Sequence, residues 1–297
     1  MKPTRRDFLT TGTAALAWAV WGRTVSGERS ETNDLKHEVG ITTGSFSRQL
    51  RARPEKFALP ELLTVIREEL DMRVVDVYTP SLASFDATYL ERIRTAAEKA
   101  GCVLTNLKMN QPGLDMGSRN KAVREKALTE YKRSIDSAAR LGMRWARPLP
   151  TKNQPGQSLI ASLRELADYA AHRKVQLLIE NFGWMQSEAS SVVDLLKEIG
   201  SNVAASPDTG NWTNNEIRYD GLARTFPLAV TCDFKARALG MGGEHLEYDL
   251  KHCFNIGWDA GFRGPWCLEH GHAEEKTLYR ELRMLRDQLR GWIAERT

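Results

Sequence analysis

Short apolar runs alternate with amphipathic stretches along the chain from residue 38 to its end. The runs predict strands over 38–43, 73–78, 102–108, 143–147, 175–180, 203–207, 229–235 and 265–269. Between them, apolar residues at i, i+3 and i+4 predict helices over Leu59 to Leu70, Ala87 to Ala100, Asn120 to Leu141, Leu159 to His172 and Ser191 to Ile199. Weaker patterns predict helices over Asp220 to Thr225 and Tyr248 to Ala260, and a long charged one closes the chain over Glu274 to Arg296. Eight strands, each followed by a helix with no Pro- or Gly-rich linker, predict the α/β class and one closed (β/α)8 TIM barrel. No Gly-x-Gly-x-x-Gly follows a strand, so dinucleotide binding has no support.

Four of the predicted strands close on an acid. They read Val-Gln-Leu-Leu-Ile-Glu to Glu180, Val-Ala-Ala-Ser-Pro-Asp to Asp208, Ala-Val-Thr-Cys-Asp to Asp233 and Pro-Trp-Cys-Leu-Glu to Glu269. In a parallel barrel such strand ends converge on one mouth, where the chemistry sits. Four carboxylates in one pocket repel, so a bound cation, basic neighbours or held protons must offset them. Lys235 shares the inward parity of Asp233, and parity also turns Lys108 and Arg147 toward the mouth. A lone strand-end carboxylate commonly caps a helix, and Asp208 before Thr-Gly-Asn also suits an Asx-turn. Four of them at successive strand ends favour a shared pocket.

Four motifs in order, Leu178-Ile179-Glu180-Asn181, Asp208-Thr209-Gly210-Asn211, Asp233-Phe234-Lys235 and Gly264-Pro265-Trp266-Cys267-Leu268-Glu269, make residues 38–295 resemble the xylose isomerase-like barrel family of sugar (phosphate) isomerases and epimerases. The resemblance implies one divalent ion held by Glu180, Asp208, Asp233 and Glu269, with Glu180 and Glu269 exchanging a proton with the substrate carbon. The chain departs from the family in two places. The usual His-x-Lys of the seventh strand is Asp233-Phe234-Lys235, and Asn211 stands where a His often follows the sixth strand. A carboxylate in place of an imidazole shifts the preference toward Mn²⁺ or Mg²⁺ and away from Zn²⁺. Asp is shorter than His, so Asp233 is expected to reach an ion through water or to pair with a neighbour instead. Lys235, Lys108 and Arg147 could also balance the acids with no metal, and both states stay open.

The resemblance also places a glycine-rich loop containing His245 over the mouth, and Trp184 and Trp212 follow the fifth- and sixth-strand motifs. The expected substrate contacts are Lys235, Asn211, Lys108, Arg147, His245 and Trp184, with Asn181, Asn110, Tyr78, Asp76, His270 and His272 as weaker candidates.

The N-terminus changes the picture of location. Thr4-Arg5-Arg6-Asp7-Phe8-Leu9 precedes an apolar stretch to Trp21, which resembles a twin-arginine export signal and is short for a membrane span, with a cleaved signal and a retained anchor both open. The expected organisation is a signal over 1–27, a linker over 28–36 and the barrel over 37–297, in a periplasmic or exported protein. The formal charge of +4 falls to about +1 without Lys2, Arg5, Arg6, Arg23 and Asp7, so nothing suggests nucleic acid as a partner. The four cysteines show no C-x-x-C spacing and are expected as buried thiols.

The resulting expectation is an exported enzyme on a small sugar or polyol, removing a proton beside a carbonyl as an isomerase or epimerase. A homo-oligomer is compatible with it. A catalytically silent carbohydrate-binding barrel and a lyase acting on an oxidised sugar are the alternatives.

Overall fold

The computed structural model describes residues 33–51, 58–149, 156–240 and 242–297. The expected export signal over 1–27 and linker residues 28–32 lie outside the described residues, and Asn33–Leu35 form a 3-10 turn. His37–Thr297 pack as one compact unit.

Eight parallel strands build it: β1 Val39–Thr42, β2 Val74–Tyr78, β3 Val103–Met109, β4 Trp145–Pro148, β5 Gln176–Ile179, β6 Val203–Ala205, β7 Cys232–Lys235 and β8 Trp266–Glu269. Each falls within one residue of a predicted run or inside it, because a barrel strand is covered on both faces and reads as a continuous apolar segment. The helices are α1 Ser47–Leu50, α2 Leu59–Glu68, α3 Ala87–Ala100, α4 Lys121–Arg140, α5 Gln157–Ala171, α6 Ser191–Ile199, α7 Asn215–Thr225, α8 Leu250–Asp259 and α9 Glu275–Ala294. No helix among the described residues is long and apolar enough to cross a membrane.

The sheet runs in the order β6-β5-β4-β3-β2-β1-β8-β7. Its two ends meet through parallel bridges, Ala205 to Ala229 and Asp208 to Asp233. Pro207 interrupts this seam: it has no N–H to donate and joins it only through its carbonyl, which accepts from Asp233 N at 2.9 Å. The second bridge puts the Asp208 and Asp233 backbones side by side at the mouth.

Helix ends are set locally. Asn120 accepts from the N–H groups of Ala122 and Val123, Asp249 accepts from His252, and α3 stops at Gly101, whose φ of 70° favours a residue without Cβ. α7 begins five residues before its predicted start because Asn214 caps it through Ile217 N at 2.9 Å. Its own amphipathic signal is weak. Outside the barrel, Trp266 packs among Phe226, Phe254 and Phe262, so its aromatic face serves the core.

Candidate active site

The sixth-strand motif is held by a side chain from the fifth. Asn181 Oδ1 accepts from Asp208 N at 2.8 Å, and its Nδ2 donates to the carbonyls of Asp208 at 3.0 Å and Asn211 at 2.9 Å. So splinted, Asp208 forms an Asx-turn, with Oδ1 accepting from Gly210 N at 2.6 Å and Asn211 N at 2.9 Å. Its other oxygen faces the mouth, where it accepts from Asn211 Nδ2 at 2.8 Å and meets Lys235 Nζ at 3.3 Å. The local turn and the pocket each use one oxygen of the same carboxylate.

Every predicted acid meets a cation of the chain. Lys108 reaches from β3 to β7, across the barrel, to bond Asp233 Oδ1, and its ammonium is 3.7 Å from Glu269 Oε2. Arg147 Nε is 2.8 Å from Glu180 Oε2. That approach is not aligned as a hydrogen bond: both atoms, with Arg147 Nη1 and Asp233 Oδ2, are buried without a hydrogen-bond partner among the described residues. Lys235 Nζ lies 2.5 Å from Glu269 Oε1, 3.3 Å from Asp208 Oδ2 and 3.3 Å from Asn211 Oδ1. Asn211 Nδ2 also donates to Glu180 Oε1 at 2.8 Å. A continuous chain of contacts therefore runs Glu180–Asn211–Asp208–Lys235–Glu269. The side chains of Glu269 and Lys235, 16% and 20% exposed, are its solvent-facing end, while the other three carboxylates are at most 4% exposed.

These surroundings push the two glutamates apart. Burial pushes Glu180 up to about 8, over the opposing pull of Arg147, and Asp233 and Asp208 add to the rise. Burial acts on Glu269 too, but Lys235, Lys108 and the hydroxyl of Tyr78 at 2.9 Å hold it down to about 2. Burial raises Asp208 to about 6 against Lys235. Lys108 and Lys235 stay charged: burial opposes this, and the carboxylates around each outweigh it.

Of the expected substrate contacts, Lys235, Asn211, Lys108 and Arg147 are brought together with the four acids. His245 is not in this cluster. Its Nε2 faces Arg237 N at 2.9 Å, its Nδ1 faces the N–H groups of Glu247 and Tyr248 at 3.2 Å, and its ring stacks on Tyr248. It fastens the loop that carries Arg237. Trp184 lies in the 3-10 turn Gly183–Ser187 after β5, half-buried, with Nε1 unpartnered among the described residues. Trp212 donates to Asp208 O at 2.9 Å and supports the turn. His270 is buried between Ala236 O at 2.9 Å and Glu281 Oε2 at 2.6 Å. Asp76 lies deeper, accepting from Thr105 Oγ1 at 2.6 Å, and burial raises it to about 6. Sequence reading missed Arg237, whose Nη2 donates to Asn211 Oδ1 at 3.1 Å. The period-two series Asp233, Lys235, Arg237 was the signal that could have found it.

The family resemblance implies a divalent cation, and its fit can be tested on these groups. Carboxylate oxygens of Glu180, Asp208 and Asp233 come within 4.8 Å of one another, and an all-oxygen set suits Mg²⁺ or Mn²⁺. Glu269 stands outside that trio. However, Lys108, Arg147 and Lys235 already occupy the faces of these acids. Each of these nitrogens sits on a carboxylate oxygen that an ion would need, and its positive charge opposes a second cation there, so the residues as seated do not fit the ion.

Comparison with known proteins bears on the fold. The profile of the family described as "Xylose isomerase-like TIM barrel" matches residues 68–288. No curated protein matches the chain. Among solved structures, the chain is similar to D-psicose 3-epimerase with D-tagatose from Clostridium cellulolyticum H10, at 14% identity over 86% of this chain and 98% of that one, with a TM-score of 0.66. It is similar to 3-keto-D-glucoside 4-epimerase from E. coli, at 15% identity over 84% and 99%, with a TM-score of 0.64. It is also similar to a xylose isomerase-like TIM barrel protein from Mycobacterium smegmatis in complex with magnesium, at 18% identity over 85% and 97%, with a TM-score of 0.58.

Proposed function

This chain belongs to the xylose isomerase-like TIM barrel family, and we propose that it is a sugar isomerase or epimerase that moves a proton on the carbon beside a carbonyl. The observation that carries this reading is the split between Glu180 and Glu269. The two stand at opposite ends of one chain of contacts, one held protonated near neutrality and the other ionised. Two carboxyl groups pushed apart in this way take the roles of acid and base. The Glu269 carboxylate takes the proton from the carbon, and the electron pair moves onto the carbonyl oxygen to give an enediolate. The Glu180 acid then delivers a proton to the other face of that carbon, which restores the carbonyl and epimerises the sugar; for isomerisation it protonates the former carbonyl carbon instead, and the hydroxyl proton of the first carbon passes to the former carbonyl oxygen. Similarity to epimerases of a free ketose and of a keto-glucoside supports free or oxidised sugars as the ligand class.

The test is solvent exchange. The protein is incubated in D₂O with a panel of aldoses, ketoses and keto-sugars, and deuterium beside the carbonyl is read by NMR. Exchange with at least one sugar, lost in Glu180→Gln and in Glu269→Gln, is expected. Full exchange in both variants would sink the mechanism. A sugar-binding barrel without turnover is the competing reading, favoured by the ion pair that already engages Asp233. It requires binding by calorimetry with no exchange in the wild type.

Export is proposed on the Arg5-Arg6-Asp7-Phe8-Leu9 motif. A reporter fused to residues 1–36 should reach the periplasm, and Arg5→Lys with Arg6→Lys should strand it inside.

A further inference from the structure

We propose that the ammonium of Lys235 takes the place of a divalent cation at this mouth, so that the site works with no bound metal. Its catalytic part rests on the isomerase reading above; its binding part does not.

Three observations carry it. First, Lys235 Nζ donates to Asp208 Oδ2 and Asn211 Oδ1 and pairs with Glu269 Oε1, and so covers the open oxygen of Asp208, one of the three acids close enough to share an ion. Second, the position is built. A Cβ on Gly210 would lie 2.8 Å from Lys235 Cδ and 2.8 Å from Tyr248 Oη, so only glycine leaves room for the lysine stem. The Lys235 backbone is clamped as well: its N–H donates to Thr209 Oγ1 at 2.9 Å, and its carbonyl accepts from Tyr248 OH at 2.5 Å. Third, Lys108, reaching in from β3 on the opposite side of the barrel, fills the same role, fully buried, against Asp233 and Glu269.

In the reaction, the Lys235 ammonium donates a hydrogen bond to the carbonyl oxygen as negative charge gathers there. Its contacts to Asp208 and Asn211 are longer than the 2.7–2.9 Å usual for charge-assisted bonds, so a substrate oxygen can replace one of them. No proton leaves the lysine. It is a fixed positive charge, and the proton on carbon travels only between the glutamates and the sugar.

Metal binding is measured directly on the full chain after chelator treatment, by the loss of the free Mn²⁺ signal in electron spin resonance. Wild type should leave millimolar Mn²⁺ unbound. Lys235→Met, which removes the ammonium and leaves the carboxylates unbalanced, should gain at least about a hundredfold in Mn²⁺ affinity. Lys235→Gln, closer to the lysine in polarity, serves if the Met variant fails to fold. Stoichiometric Mn²⁺ on the wild type, lost in Asp208→Asn, would overturn the proposal whatever the sugar does. So would folded Lys235 variants that take up no more Mn²⁺ than wild type. If wild type binds no Mn²⁺ and exchanges no sugar proton, the isomerase reading fails while Lys235 keeps its place; if the chelated protein still exchanges, both hold.

Discussion

Lys235 Nζ stands 2.5 Å from Glu269 Oε1 on the neighbouring strand, with Lys235 and Glu269 paired in register between β7 and β8. This contact fixes the charge of both groups at the solvent-facing end of the cluster. Of the three cations that pair with the acids, Lys235 is the most exposed. Lys235→Met should therefore lower the exchange rate by about 10²–10³, the usual cost of removing one donor to a developing oxyanion. The same change should raise the Glu269 pKa from about 2 toward the ordinary carboxylate range, bringing an acid limb into the rate profile. Exchange kinetics of the variant between pH 3 and 7 would read both; an unchanged rate would remove Lys235 from the reaction.

Glu180 sets the alkaline side. As the acid it must carry its proton, and burial raises it to about 8, so exchange should fall by about tenfold per unit above that pH. Stability follows the same group. Its folded value lies above the ordinary one of 4.5, so its contribution is whole below about 4.5 and is lost as pH rises through about 8. Wild type should lose stability relative to Glu180→Gln across that window, measured as the difference in urea midpoints. A constant difference would mean that Glu180 is ionised in the folded protein.

Much of this arrangement was legible beforehand, and the limits are physical. Strand ends, inward parity and the four acids follow from a period of two and from apolar runs covered on both faces. Lys108 and Arg147 were turned to the mouth by parity, but parity does not say how far a side chain reaches. That Lys108 crosses the barrel to Asp233 depends on the length of lysine against the short aspartate opposite it. Asn181 was read as a weaker candidate for substrate contact, and its work as a splint across two strands needs the closing seam at Pro207. α1 was missed because a single helical turn leaves no periodic signal.

Gly210 makes a further prediction. Gly210→Ala forces the new methyl against Lys235 Cδ and Tyr248 Oη, each 2.8 Å away. Overpacking of this kind costs about 1–3 kcal/mol. Thermal unfolding should show that loss, and exchange should fall with it because the lysine stem must move. A variant as stable and active as wild type would show that the stem has space to yield.

The buried ion pair gives the last test. Lys108 and the Asp233 carboxylate have side chains 0% and 1% exposed, so neither charge can be rescued by water when the other is removed. Lys108→Met leaves Asp233 uncompensated and should cost about 3–5 kcal/mol. Asp233→Asn alone should also destabilise, since it strands an ammonium in the barrel. Together the two changes remove both charges, and the double variant should recover about half of the summed loss, the coupling expected of residues in contact. Denaturant unfolding of the four proteins closes the cycle. Strict additivity would mean that Lys108 answers chiefly to Glu269, 3.7 Å away, and that Asp233 is held by some other group.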